Sequence, residues 1–234
     1  MNKVSVVMNT YNEDENYLRM AINSYLSQKD VDVELILSTV KGDKSVLIAQ
    51  GISNKIIVVE NDVAGIYSQL NNGLKYITGD WYVYASSNDV ALPTKLKDEV
   101  ELCIKNNKRV CYSAFYITDK NLKIIKIYKS MNYSYKKHNS RNNFVNDLAL
   151  ISSDLIRKYG PFREKYKNHA YHDLLLRIAE EEGENIFVYN SKPEWMYRTL
   201  NTSLHIKRSK NPKIKQANKF YQIKMLNDHK GKMV

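Results

Sequence analysis

The chain has 234 residues, 43% of them hydrophobic and 26% charged, with a net charge of +11. This is a globular composition, long enough to bury a core as one α/β domain, and its 4 Pro and 8 Gly leave no room for a long disordered linker. No stretch approaches the ~20 uninterrupted apolar residues of a membrane-spanning helix. The N-terminal apolar run is shorter than the ~7–15 residues of a signal peptide core, and Cys103 and Cys111 are too few for a disulfide framework and lack zinc-ligand spacing. A reducing, cytoplasmic setting is expected.

"VSVVM" (4–8) is a continuous apolar run, as expected of a parallel strand covered on both faces. After "NTYNEDE", Leu18, Ile22, Tyr25 and Leu26 recur at helical spacing. "VELIL" (33–37) and "KIIVVE" (55–60) predict the next two strands. Ile66, Leu70, Leu74 and Ile77 mark one face of a helix, and "DWYVYA" (80–85) predicts a fourth strand. A helix follows over 92–107, with Pro93 near its first turn, where a missing N–H costs nothing. This alternation predicts a mostly parallel, three-layer sheet, whose ligands bind beyond the carboxyl ends of the strands. That rule brings "NTYNE", "STVKGD", "END" and "SSND" to one edge.

The second half changes character. "RVCYSAFYIT" and "LKIIKIYKS" around "DKN" predict an antiparallel hairpin. Residues 119–141 carry seven Lys or Arg interleaved with Tyr128, Tyr133 and Tyr135. "SDLIRKYG" predicts a short helix with Ser153 as cap and Gly160 at its end, and "HDLLLRIAEEEG" a second ending at Gly183. "NIFVYN" predicts a strand, and 212–227 a basic helix. From Lys192 onward there are eleven Lys or Arg against Glu194 and Asp228, a net +9. Such a segment suits phosphates, an anionic membrane surface, nucleic acid, or simply a solvated helix. Residues 206–234 are set apart as a basic helical extension of a domain spanning 1–205.

No phosphate-binding glycine motif is present: "VKGDKS" lacks the Gly-Lys pair and the earlier glycine. "HAYHD" (169–173) offers two His and a carboxylate, but a helix start with a capping Asp accounts for it. The Tyr-rich basic stretch could stack on bases, yet 18 Tyr are spread through the chain, and a nucleic-acid partner is not expected. Asp89 is different. A carboxylate just past a strand suits a divalent cation bound to a diphosphate, because Mg²⁺ or Mn²⁺ takes one or two protein carboxylates plus substrate oxygens. It suits a helix cap equally, and spacing alone does not separate the two.

"VSVVMNTYNEDENYLRMAINSYLSQ" resembles the opening of family 2 glycosyltransferases, which have the GT-A fold. "ENDVAGIYSQLNNGLKYITGDWYVYASSNDVALPTKL" resembles a subgroup with a G-I-Y-x-x-x-N-x-G segment followed by a strand and an acidic motif. "GPFREKY", "HDLLLRIAEEEG" and "YRTLNTSLH" resemble later segments of the family, in order. The resemblance implies an inverting enzyme that moves a sugar from a nucleotide-diphosphate sugar to a glycan or lipid-linked acceptor. Its cofactor would be Mn²⁺ or Mg²⁺, with possible contact at the inner membrane face through the basic segment. Thr10, Tyr11, Asn12 and Glu13 would hold the nucleoside. Thr39 stands where the family usually has a base-binding aspartate. Gly65, Tyr67 and Asn71 would lie under the donor sugar. Ser86, Ser87 and Asn88 precede the metal-holding Asp89, with Asn88 in place of a second acid. Asp173 would be the base, with His172 as its alternate; Tyr171 occupies a position where many relatives have an acid. Arg198 would reach the diphosphate, and His205 the diphosphate or its metal.

Overall fold

The computed structural model describes residues 1–140, 143–200 and 211–232. Four parallel strands form one half of a single sheet: β1 (Lys3–Asn9), β2 (Asp32–Val40), β3 (Ile57–Asn61) and β4 (Trp81–Ser86), in the order β3-β2-β1-β4. Alternation along β1 sends Val7 into one core and Val4, Val6 and Met8 into the other, so a layer covers each face. The helices of this half are α1 (Glu15–Leu26), α2 (Ser45–Ile52) and α3 (Ile66–Gly73), the last continued by a 3₁₀ turn at Leu74–Tyr76. Gly73 lets α3 lie close on β1: a Cβ there would meet Val7 Cγ1 at 2.5 Å. The chain goes from β1 to β2 on one side and later crosses to β4 on the other. The carboxyl ends of β1 and β4 therefore flank a topological switch point, where a crevice opens.

The second half of the sheet is mixed. β5 (Val90–Ala91) and α4 (Lys95–Asn106) lead into β6 (Val110–Thr118) and β7 (Ile124–Tyr128), which pair antiparallel as the sequence predicts. After α5 (Tyr135–His138), β8 (Leu150–Ser152) runs antiparallel between β4 and β6 and joins the halves. Helices α6 (Ser153–Tyr159) and α7 (Ala170–Glu182) flank a 3₁₀ segment at Glu164–His169. β9 (Phe187–Arg198) lies parallel to β6 and pairs antiparallel with β5.

Several sequence expectations shift. α2 and β8 were not expected. β9 runs eight residues past the predicted end at 190, through two register shifts against β6. Thr94 precedes α4, so Pro93 lies before the helix, and Ser152 rather than Ser153 stands at the N-terminus of α6.

The basic segment is a docked helix, α8 (Pro212–Asp228), begun by Asn211, whose side chain accepts from the amides of Lys213 and Ile214 at 3.1 and 3.3 Å. Its Met225 is fully buried and Asn218 accepts from Asn168 Nδ2 at 3.0 Å, which holds the helix on the 3₁₀ segment. Among the described residues no helix is long and apolar enough to cross a membrane.

Candidate active site

A cleft of about 1070 Å³ opens where the carboxyl ends of β1, β3 and β4 converge, and the end of β9 closes one side. Thr10, Tyr11, Asn12 and Glu13 follow β1 into it. Thr10 is buried, its amide donating to the Ser38 carbonyl at 3.0 Å, while Tyr11 keeps an open ring, 59% exposed. Asn12 adopts a left-handed backbone (φ 51°) and donates its amide to Asp43 Oδ2 at 2.7 Å. Asn is among the few residues that tolerate that conformation. Gln69 is the hidden brace of this end. It is 1% exposed, donates to the carbonyls of Thr10 and Ser38 at 2.8 and 3.1 Å, and accepts from the Gly65 amide at 3.2 Å.

The "SSND" segment lines the next wall. Ser87 Oγ donates to Glu13 Oε2 at 2.9 Å and so ties the β4 end to the β1 end; Ser86 Oγ donates to Asn88 Oδ1 at 2.8 Å. Asp89 is 4% exposed and does not cap α4. Its Oδ1 accepts from the Arg198 amide at 2.8 Å. Burial pushes its carboxyl up to about 7, against the pull of that amide, Ser86 and the Arg198 guanidinium, with the Glu13 charge adding to the rise. Arg198 itself is 2% exposed and occupied. It donates to the carbonyls of Asn88 (2.9 Å) and Lys120, and its guanidinium lies 4.2 Å over the Tyr17 ring. The arginine holds the Asp89 loop in place instead of presenting a free charge to a diphosphate.

A second acid, Asp147, sits in the same cleft. Its side chain is exposed in the cleft, yet desolvation by the surrounding protein pushes it up to about 6, with an Asn143 hydrogen bond opposing. The half-buried Tyr84 lies within the field of both acids, and desolvation followed by Asp147 and Asp89 raises its pKa. The remaining wall is aromatic. Phe115 stacks between Tyr128 and Trp195 at 4.7 and 4.2 Å, with Tyr197 edge-on.

A model of the family described as "Glycosyl transferase family 2" matches residues 5–164. The chain belongs to family 2 of the glycosyltransferases. It is 29% identical to an uncharacterized glycosyltransferase of Rickettsia typhi, over 86% of this chain and 67% of that one. Its fold resembles that of S. aureus TarS 1–349 in complex with UDP (TM-score 0.69, 16% identity, 97% of this chain and 65% of that). It also resembles glucosyl-3-phosphoglycerate synthase from Mycobacterium tuberculosis in complex with Mn²⁺, UDP and phosphoglyceric acid (0.68, 16%, 98% and 79%). The GT-A architecture expected from the resemblance is thus the one observed, and the chain spans about two thirds of the length of the first two of these.

Several expected site residues of this glycosyltransferase lie away from the cleft. Thr39 is fully buried in β2. Tyr67 packs on Phe162 with centroids 5.3 Å apart, and Asn71 exchanges hydrogen bonds with the Phe162 backbone at 2.8 and 3.0 Å, so both support the Phe162–Glu164 turn. Asp173, the expected base, is fully buried: Arg177 Nε donates to its Oδ2 at 3.0 Å, and His229 Nε2 lies 2.9 Å from its Oδ1. The second His229 nitrogen meets Glu180 Oε1 at 2.5 Å. This cluster clasps the C-terminal helix to α7 and leaves no carboxylate oxygen for an acceptor. His172, the alternate, is 1% exposed and bonded through Nε2 to the His138 carbonyl at 2.8 Å; burial first of all pulls it to about 4. His205 lies outside the described residues. Gln69, Tyr84, Asp147 and the aromatic wall went unnoticed in the sequence; only the pairing of β8 with β4 could have placed residues 143–148 at the cleft.

Proposed function

We propose that this transferase moves a sugar from a nucleotide-diphosphate sugar to an acceptor hydroxyl with inversion, in glycan synthesis. The observation that carries the reading is that Asp89 and Asp147 line one cleft at the switch point, with no side-chain cation bonded to either among the described residues. Tyr11 offers a stacking face for the nucleobase, and the loop braced by Gln69 and Asp43 holds it in position. Asp147, poised near 6, is suited to take the acceptor proton at neutral pH, and positioned bases of this kind supply ~10²–10⁴-fold. The acceptor oxygen then attacks the anomeric carbon as its bond to the diphosphate breaks. The aromatic wall excludes water from that encounter and offers ring faces to a saccharide acceptor.

The oxygen set fits a divalent cation. Among the described residues no group of three or more His, Cys, Asp or Glu could hold one. Such an ion would therefore take Asp89, with Asn88 or Glu13 beside it, and complete its shell from the diphosphate. When bound, it offsets the charge that develops on the departing diphosphate. Donor turnover with Mn²⁺ is the test. Activity indifferent to both EDTA and Asp89→Ala contradicts the cation role. The second reading is a nucleotide-sugar-binding module without turnover, favoured by the tie between Asp89 and the Arg198 amide. Calorimetric donor binding with no hydrolysis or transfer on any acceptor selects it.

A further inference from the structure

The basic stretch that the transferase reading leaves unused begins as the tip and outer strand of the β6–β7 hairpin. Every residue of β7 is exposed: Ile125 by 61%, Ile124 by 49%, Ile127 by 45%, and Met131 just beyond by 44%. Residues 120–131 contain four lysines, at 120, 123, 126 and 129, all exposed, and no acid. Among the described residues β7 pairs with β6 alone, so its outer edge offers N–H and C=O groups that no described strand pairs. Lysines by themselves protect such an edge, but protection does not call for three exposed isoleucines within four positions; an apolar cluster rimmed by one sign of charge marks an interaction face.

We infer that this hairpin docks on an anionic lipid surface. The isoleucines enter the boundary between headgroups and acyl chains, and the lysines meet the phosphates, their stems lying along the apolar residues. The open strand edge keeps the insertion shallow, because unpaired backbone groups cannot enter the hydrocarbon. The hairpin has a second face. Tyr128 turns to the cleft and stacks on Phe115, whereas the adjacent Ile127, opposite Tyr116, turns away. Docking sets the aromatic end of the cleft at the lipid surface, where an acceptor attached to the membrane presents its hydroxyl. Docking itself does not depend on the transferase reading, since it is measured as binding and not as turnover.

The test is cosedimentation of the full chain at low salt with phosphatidylcholine vesicles, with and without phosphatidylglycerol. The expected result is binding that requires phosphatidylglycerol. Each surface lysine contributes roughly fivefold, so Lys123→Gln with Lys126→Gln should weaken binding about 25-fold, and Ile125→Ser with Ile127→Ser at least tenfold. Lys213→Gln with Lys215→Gln on α8 should leave it within a fewfold. Absence of binding, or binding lost through α8 and not through the hairpin, overturns the inference. So does a dimer, seen by light scattering, that the isoleucine variant dissociates. Should that variant unfold, a fluorophore on Lys129→Cys, two positions from Ile127, gives an independent readout, the native Cys103 and Cys111 being buried. A blue shift with anionic vesicles supports docking, and an unchanged spectrum rejects it.

Discussion

Two acidic centres occupy this molecule, and they obey opposite rules. At the clasp, Asp173 and Glu180 are surrounded by Arg177, His229 and Lys232. At the cleft, Asp89 and Asp147 lack such partners among the described residues and are pushed up to about 7 and about 6. A buried carboxylate matched to cations serves the fold, because its charge is already neutralised. One held near neutrality in a cleft is available to a proton or a cation from outside. The motif order of the family points to the first centre, and the geometry points to the second.

The sharpest way to break this contrast is to neutralise one acid from each centre. Asp147→Asn should lower kcat by about 10²–10⁴-fold with the unfolding midpoint nearly unchanged. In the wild type, kcat/KM should rise with pH through about 6 and level off, and this acid limb should vanish in the variant. Asp173→Ala should do the reverse. It leaves buried positive groups without their carboxylate and should cost about 3–5 kcal/mol in denaturant unfolding, with transfer per folded molecule preserved. If Asp173→Ala abolishes transfer in a protein that stays folded, the assignment of the base reverts to the clasp.

A subtler contrast concerns stability against function. An acid whose folded pKa exceeds its unfolded value carries a penalty that sets in above the unfolded value and is complete above the folded one. Asp89 therefore costs stability at neutral pH. Asp89→Asn should raise the melting temperature of the metal-free protein, since the Asn oxygen can still accept from the Arg198 amide, while abolishing the thermal shift given by Mn²⁺ with a nucleoside diphosphate. In the wild type the apparent cation affinity should grow about tenfold per pH unit up to about 7 and then flatten, as the proton ceases to compete.

The donor side of this fold was legible because each parallel strand is an apolar run with an abrupt polar end, and the switch-point rule gathers those ends. The acceptor side was not. Asp147 follows an irregular stretch, and its place depends on β8, only three residues long. The later part of β9 was hidden because its sequence, "SKPEWMYR", breaks alternation with a proline where the register against β6 shifts. The clasp was the least readable feature, since His229 meets Asp173 across 56 positions. No local pattern marks a histidine near a chain end as the partner of a helix so far upstream.

The clasp also yields the mildest effect, a pH dependence opposite in sign to that of the cleft acids. Burial lowers the His229 pKa, but hydrogen bonds and charge from Asp173 and Glu180 outweigh it and leave the imidazole above its ordinary 6.5. A histidine raised on folding contributes stability that is fully present below about 6.5 and is lost as pH rises through the folded value. With both ring nitrogens facing carboxylates, loss of one proton leaves a nitrogen lone pair against an oxygen. The docked α8 should therefore loosen on the alkaline side, seen as faster amide exchange over Pro212–Asp228 relative to β1. His229→Gln should start less stable at pH 6 and show a flatter decline above it, since glutamine can donate to one carboxylate without titrating. An alkaline decline of equal size in that variant would place the titrating group elsewhere.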